Sequence, residues 1–373
     1  MPSGARRAFS GFFSGDVMTG RGIDHILRRP SAPALQEPYV QDARTYVELA
    51  EAASGPIPRG VDDAYIWGDA LEELDRMEPD ARVVNLETTV TRSDDAWPKL
   101  INYRMHPANV GCFTAAKLDV CVLANNHVLD YGYAGLCETL ETLTSVGLKV
   151  AGAGLNQEEA RRPARVRIAD GRTLIVFGVG AETSGIPASW AASHDRPGVD
   201  LLRHLSEATA AALLDRVARV KRPGDLVVVS IHWGGNWGYA IPGEHVQFAH
   251  WLVDGGVDLV HGHSSHHPRG IEVYADRLIL YGCGDCINDY EGIAGYEQFR
   301  GDLVLMYFAT LGPAGDLTRL RMRPMQVKRM RLGRVGSAEA AWLAGVLNSI
   351  SARFGSRVEL AGDGALELRW AGQ

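Results

Sequence analysis

Short aliphatic and β-branched runs recur at 82–86, 120–124, 173–179, 226–231, 259–261 and 278–281, and stretches with helical spacing lie between them at 135–146, 205–220 and 243–253. Strand patterns alternating with helix patterns predict an α/β layered fold. Val227-Val228-Val229 is apolar at consecutive positions, as a strand covered on both faces must be. Segment 29–60 is rich in proline and polar residues with one helical pattern at 39–52, and reads as an insertion after the first strand. Towards the C-terminus, 303–310 and 317–325 read as strands, 338–354 as an amphipathic helix, and 358–360 with 366–370 as a hairpin. The organisation expected is a main domain over 1–330 and an appendage, 331–373, packed on it.

The apolar runs end in polar clusters. Gly15-Asp16 follows the Phe-rich run at 9–13, Asn85-Leu86-Glu87 closes the second, and Asn125-Asn126-His127 closes the third, with Asp130 three residues on. His232 ends the run at 226–231, and His261, His263, His266 and His267 fall within seven positions after Val260. Taken singly, each has a plain structural explanation: a turn aspartate that caps a helix, a surface glutamate, a hydrogen-bonded turn, a core histidine. Together they place carboxylates, amides and imidazoles at strand ends, where α/β folds gather ligands. Asp16, Glu87, Asn126, His232, His263 and His266 form an oxygen and nitrogen set suited to two divalent ions such as Mn²⁺, Zn²⁺ or Fe²⁺. Two such ions activate water at neutral pH and stabilise an in-line displacement. His127 is placed to act as acid or base, with Asp130 orienting its ring.

Composition narrows this only a little. At 373 residues and 46% hydrophobic the chain supports a large core, and a formal charge of -7 with interspersed signs gives no basic face for nucleic acid. The five cysteines are an odd number spread through apolar segments, which predicts reduced thiols and a cytoplasmic protein. Cys283 and Cys286 have redox-motif spacing but lack the second pair of a zinc ribbon. Arg6 and Arg7 are followed by glycines and serines, so no signal-peptide apolar region is drawn, and no run reaches the about 20 apolar residues of a membrane helix.

Six segments in order resemble the CapA-type poly-γ-glutamate capsule biosynthesis family, a branch of the calcineurin-like metallophosphoesterases. They are Gly15-Asp16-Val17-Met18-Thr19-Gly20-Arg21, Asn85-Leu86-Glu87, Leu123 through Gly132, Gly152 through Asn156, Ser230-Ile231-His232-Trp233-Gly234 and Gly262-His263 through His266. The resemblance implies a four-layer α/β/β/α sandwich with the metal centre at the strand ends. Asp16 would bind the first metal, Glu87 would bridge, Asn126 and His232 would bind the second, and His263 with His266 would complete the pair. It further implies that His127 contacts substrate and protonates the leaving group, and Arg21 has the chemistry of an anion clamp. Met18 stands where phosphoesterases carry a histidine, and His263 and His266 are separated by two residues rather than one. Asp285 stands where relatives often have asparagine, as an added acidic group. The expected function is a dinuclear metal-dependent hydrolase acting on a phosphoester or γ-glutamyl amide within poly-γ-glutamate or capsule synthesis. The alternatives are a non-hydrolytic accessory protein that binds an anionic polymer beside capsule-synthesis partners, and a hydrolase recruited to a small-molecule pathway.

Overall fold

In the computed structural model, which describes residues 7–168 and 170–372, two sheets share a core. Arg6 and the final residue of segment 331–373 lie outside the described residues. In the larger sheet Phe9–Val17, Ala81–Leu86, Val120–Val122 and Lys149–Ala151 run parallel, and Leu303–Leu311 and Leu317–Lys328 continue it antiparallel on the other side of Phe9–Val17. The second sheet is built on the parallel strands Thr173–Ala181, Leu226–His232, Leu259–His263 and Arg277–Leu280. The chain is a mixed α/β protein.

The uniform apolar runs conceal strict alternation. Val83, Val120 and Val122 of the larger sheet meet Leu174, Val176, Leu226 and Val228 of the second in one apolar cluster. Their neighbours Val84, Leu86, Cys121 and Leu123 face the other way, against Tyr46, Val47, Leu74, Leu136 and Leu140 of helices Arg44–Ser54, Ala70–Met77 and Gly132–Ser145. On the far side, Val227, Val229 and Ile231 meet Leu213, Val217, Phe248 and Leu252 of helices Glu207–Val220 and Gly243–Asp254. Strands buried on both faces are therefore apolar throughout, because each face has its own cover. One helix start is capped by its own sequence: Ser206 Oγ accepts from the Thr209 N–H at the head of Glu207–Val220.

Segment 29–60 departs after Leu27 and returns at Val61, whose N–H donates to the Ile26 carbonyl at 3.0 Å. Its helix is Arg44–Ser54, ending at Gly55 with φ 86°. At the C-terminus, Leu366–Trp370 pairs with Leu317–Lys328 and thereby adds the final hairpin to the larger sheet. Leu343 and Leu347 of helix Ser337–Ser351 enter the core between the sheets. All five cysteines are free thiols, and burial pushes that of Cys286 up to about 12, which leaves it unreactive. Among the described residues no helix is long and apolar enough to cross a membrane.

Candidate metal centre

The carboxyl ends of Phe9–Val17, Ala81–Leu86, Leu226–His232 and Leu259–His263 meet in one region, and the first is bent to aim a carboxylate there. Phe9–Val17 slips register against Ala81–Leu86 between Ser14 and Asp16, a bulge of the kind that redirects a side chain. Gly15 permits this: a Cβ at that position would lie 1.7 Å from the Gly284 carbonyl oxygen. Because no side chain separates the two segments, the Asp16 N–H donates to that oxygen at 3.1 Å, and Asp16 is paired in register with Asp285.

Two donor groups result, and Asp16 belongs to both. Asp16, His232 and His263 form one and Asp16, His266 and Asp285 the other, each with its donor atoms within 4.8 Å of one another and all buried. The two residues between His263 and His266 make this division possible. Ser264 takes φ 105°, which an L-residue adopts only under constraint, and donates from Oγ to the Gly234 carbonyl at 3.0 Å. His266 Nδ1 then lies 2.8 Å from Asp285 Oδ1. Met18 contributes no ordinary ligand to this group, its sulfur lying 3.5 Å from the Tyr290 hydroxyl. Asp285 supplies a carboxylate there instead.

Hydrogen bonding fixes which imidazole nitrogens are bare. His261 Nε2 lies 3.0 Å from the Ser14 carbonyl, which only accepts, so that nitrogen carries the proton and Nδ1 has the lone pair. Ser230 Oγ, 2.9 Å from His261 Nδ1, donates to it and accepts from His263 Nε2 at 2.9 Å. His263 thus presents a bare Nδ1, 2.8 Å from His232 Nδ1 and 4.0 Å from Asp16 Oδ1. His232 Nε2 faces Asn126 Oδ1 at 3.0 Å, so the proton on that ring belongs at Nε2 and its Nδ1 is bare as well. Burial drives both rings well below the ordinary histidine value and keeps them neutral, as metal-binding imidazoles are.

The carboxylates show the complementary stress. Burial, and then the charge of Asp285, push Asp16 up to about 7. Burial, and then Asp16, push Glu87 well above the usual carboxylate range. Glu87 Oε2 is 3.9 Å from His232 Nδ1 and accepts from Asn85 Nδ2 at 3.0 Å. Asp16 Oδ1 accepts from the same amide at 2.7 Å, whereas its Oδ2 is buried with no hydrogen-bond partner. An orphaned carboxylate oxygen, two facing lone pairs and crowded acids are what divalent cations would relieve, so the donor set fits them. Asp16, Glu87, His232, His263 and His266 are thus brought together, whereas Asn126 meets His232 at the protonated Nε2, on the side of the ring away from the other donors.

His127 closes the pocket beside Glu87, its Nε2 3.8 Å from Glu87 Oε1. Asp130 Oδ2 takes the Nδ1 proton at 2.6 Å and also accepts the Tyr103 N–H at 2.6 Å, so Nε2 is the free nitrogen. Burial, against the opposing pull of Asp130, lowers the ring to about 4, so it is neutral at pH 7. Sequence reasoning missed Lys99, whose Nζ lies 2.7 Å from Asp130 Oδ1 and 3.2 Å from His127 Nδ1. It sits in a loop between Trp97 and Asn102 with no motif to mark it. Ser230 and His261 were visible in the sequence as neighbours of proposed ligands, but their task of setting the His263 tautomer was not.

Arg21 departs from the anion-clamp expectation. Its Nε and Nη2 hold both oxygens of Asp289, and Nη1 donates to Glu37 at 3.2 Å and to the Tyr46 hydroxyl at 2.9 Å. The guanidinium also lies over the rings of Tyr46 and Tyr103, 3.8 and 4.5 Å from their centroids. Nearly every donor is spent on buried partners, so Arg21 ties the insertion to the 285–290 segment instead of waiting for substrate. Arg21→Met should therefore cost about 3–5 kcal/mol in urea denaturation, because Asp289 and Glu37 lose a buried counter-ion. A loss below ~1 kcal/mol would show that the pair is not structural.

Residues 11–290 match the family described as bacterial capsule synthesis protein PGA_cap, a span that contains every donor named above. The chain is 49% identical over 357 residues to the "probable polyglutamine synthesis accessory protein" of Mycobacterium tuberculosis, covering 95% of this chain and 94% of that protein. It is 25% identical over 320 residues to the PGA biosynthesis protein CapA of Bacillus subtilis, covering 85% of this chain and 71% of that one. Over 196 residues, 52% of this chain and 44% of the other, it is 29% identical to the capsule biosynthesis protein CapA of Bacillus anthracis. The extent of these matches, with the ordered donors inside them, places the chain in the PGA_cap family of bacterial capsule synthesis proteins.

Proposed function

We propose that this protein is a metal-dependent hydrolase serving capsule or poly-glutamate synthesis, with a phosphoester or γ-glutamyl amide as the bond cleaved. The observation that carries this reading is the pair of donor groups sharing Asp16, with a neutral, oriented His127 beside them. The partition of apolar side chains into three clusters supports the helix, sheet, sheet, helix layering of a metallophosphoesterase around such a centre. Asp16, His232 and His263 would hold one divalent ion and Asp16, His266 and Asp285 the other, with Glu87 completing the set and Asn126 fixing the tautomer of His232. When bound, such ions supply Lewis-acid stabilisation of developing charge and activation of water. His127 would take up at Nε2 the proton that the attacking water gives up and pass it to the leaving group, held in register by Asp130 and Lys99. The synthesis machinery of the capsule would be its working partner.

A second reading, a binding accessory without turnover, is favoured by the commitment of Arg21 to Asp289 and Glu37, which leaves no free guanidinium for a leaving phosphate. Purified full-length protein, assayed for metal content and for hydrolysis of p-nitrophenyl phosphate, bis-p-nitrophenyl phosphate and γ-glutamyl-p-nitroanilide, separates the two. About two equivalents of metal are expected, and His127→Gln should keep them while losing roughly 10²–10⁴-fold in kcat. Metal bound with no turnover on any substrate would transfer support to the accessory reading.

A further inference from the structure

A cavity of about 830 Å³ adjoins the centre, sharing with it His266 and bounded nearby by Asn236 and Tyr290. Its volume suits a ligand of drug-like size. The outer wall is apolar to an extent that a soluble surface does not require. Tyr39, Leu100, Ile101, Ile293 and Tyr296 all line it and are 95%, 71%, 41%, 40% and 47% exposed. They are five of the eight large hydrophobic side chains exposed among the described residues, drawn from three separate segments of chain onto one opening. Isolated exposed hydrophobics need no explanation, but a contiguous set marks a binding surface. Trp237 gives the wall a flat aromatic face, stacked on Tyr296 at 4.1 Å between centroids and 6° between planes.

The charges on the same wall point away from a polyanion. Of its four carboxylates, Glu37 and Asp302 are matched by the two arginines of the wall, which leaves Glu291 and Glu297 as the negative excess. The two arginines are already matched, Arg21 to Asp289 and Glu37, and Arg300 to Asp302 at 2.8 and 2.9 Å. A poly-glutamate chain laid here would meet apolar surface and like charge, with no uncommitted guanidinium to receive it.

We propose that the cleft binds the apolar part of an amphiphilic substrate whose scissile phosphoester or amide reaches the metal centre at His266. This rests on the hydrolase reading for the position of the scissile bond, but not for the chemistry of the cleft. The anionic polymer is then not the occupant of this wall. The substrate class is a compact hydrolysable head carrying an aliphatic chain or aromatic ring.

Calorimetry on the full-length protein with naphthyl phosphonate and methyl phosphonate, which are not hydrolysed, tests the assignment independently of turnover. Naphthyl phosphonate should bind at least about 10-fold more tightly, in both metal-loaded and chelator-treated protein, consistent with burial of an apolar ring. Tyr296→Ala and Ile293→Asp should erase the difference while metal content stays at the wild-type level. Equal binding of the two phosphonates, or binding of neither, overturns the proposal, as does tighter binding of hexa-γ-glutamate that survives Ile293→Asp. Selective naphthyl binding in a protein that hydrolyses nothing sustains the cleft assignment and sinks only the hydrolase reading.

Discussion

Replacing Asp16 by asparagine is expected to remove both metal equivalents and to make the chelated protein more stable at pH 8. Asp16 is the one residue common to the two donor groups, so its charge is lost to both sites at once. Asparagine keeps the shape and an acceptor for Asn85 Nδ2, which lies 2.7 Å from Asp16 Oδ1, so the fold has little reason to suffer. The stability gain follows from proton linkage. With a folded value of about 7 against an ordinary 3.8, metal-free Asp16 retains a proton that the unfolded chain has already released in that interval. Stability of the chelated wild type therefore falls as pH rises from about 4 to about 7 and stays low above it, a loss on the order of a few kcal/mol. The asparagine variant lacks the Asp16 share of this dependence and keeps the share of Glu87, which burial itself raises, so its loss between pH 5 and pH 8 is smaller than that of the wild type. Urea denaturation with chelator at pH 5 and pH 8 reads the stability arm, and elemental analysis reads the metal arm. Wild-type metal stoichiometry in the variant would refute the shared carboxylate.

Gly15→Ala should be the most damaging small substitution in the protein. Its methyl group would be placed 1.7 Å from the Gly284 carbonyl oxygen, 2.9 Å from the attached carbon and 3.1 Å from Cys283 Cβ. Two of these are backbone atoms that no rotamer change can move, so the strands themselves must part. Overpacking ordinarily costs about 1–3 kcal/mol, and a backbone collision in a core strand belongs at or beyond the upper end. Separation would also break the register that sets Asp16 against Asp285, so any folded variant should lose the His266-side metal before the His232-side metal. A midpoint of denaturation within error of the wild type would show that the two segments are not held this closely.

The spacing of apolar runs located the strands and helices because strand and helix periodicities are local properties of the chain. Thus 243–253 was legible as a helix and is Gly243–Asp254, and 226–231 was legible as a strand and is Leu226–His232. Strand ends missed one or two residues where a ligand continues the strand, since His232 and His263 are polar by type yet fully buried. The ligand types themselves were legible for the same local reason: polar residues directly after buried strands are costly to place without partners.

Partnership was not legible, because it depends on chain segments far apart in sequence. Asp285 becomes a donor only through its pairing with Asp16, and Arg21 is neutralised by Asp289, 268 positions away. Lys99 joins His127 from a loop without any pattern, and Asn126 and Glu87 meet His232 only because two sheets bring their strand ends together. By itself, then, the sequence determined the α/β class, the positions of its elements and the kinds of ligand at the strand ends, all set by side-chain periodicity and type. Only the tertiary structure decided that Asp16 is shared, that Arg21 is spent and that an apolar cleft adjoins His266, because hydrogen bonds, ion pairs and cavity walls are made between segments whose meeting no local pattern records.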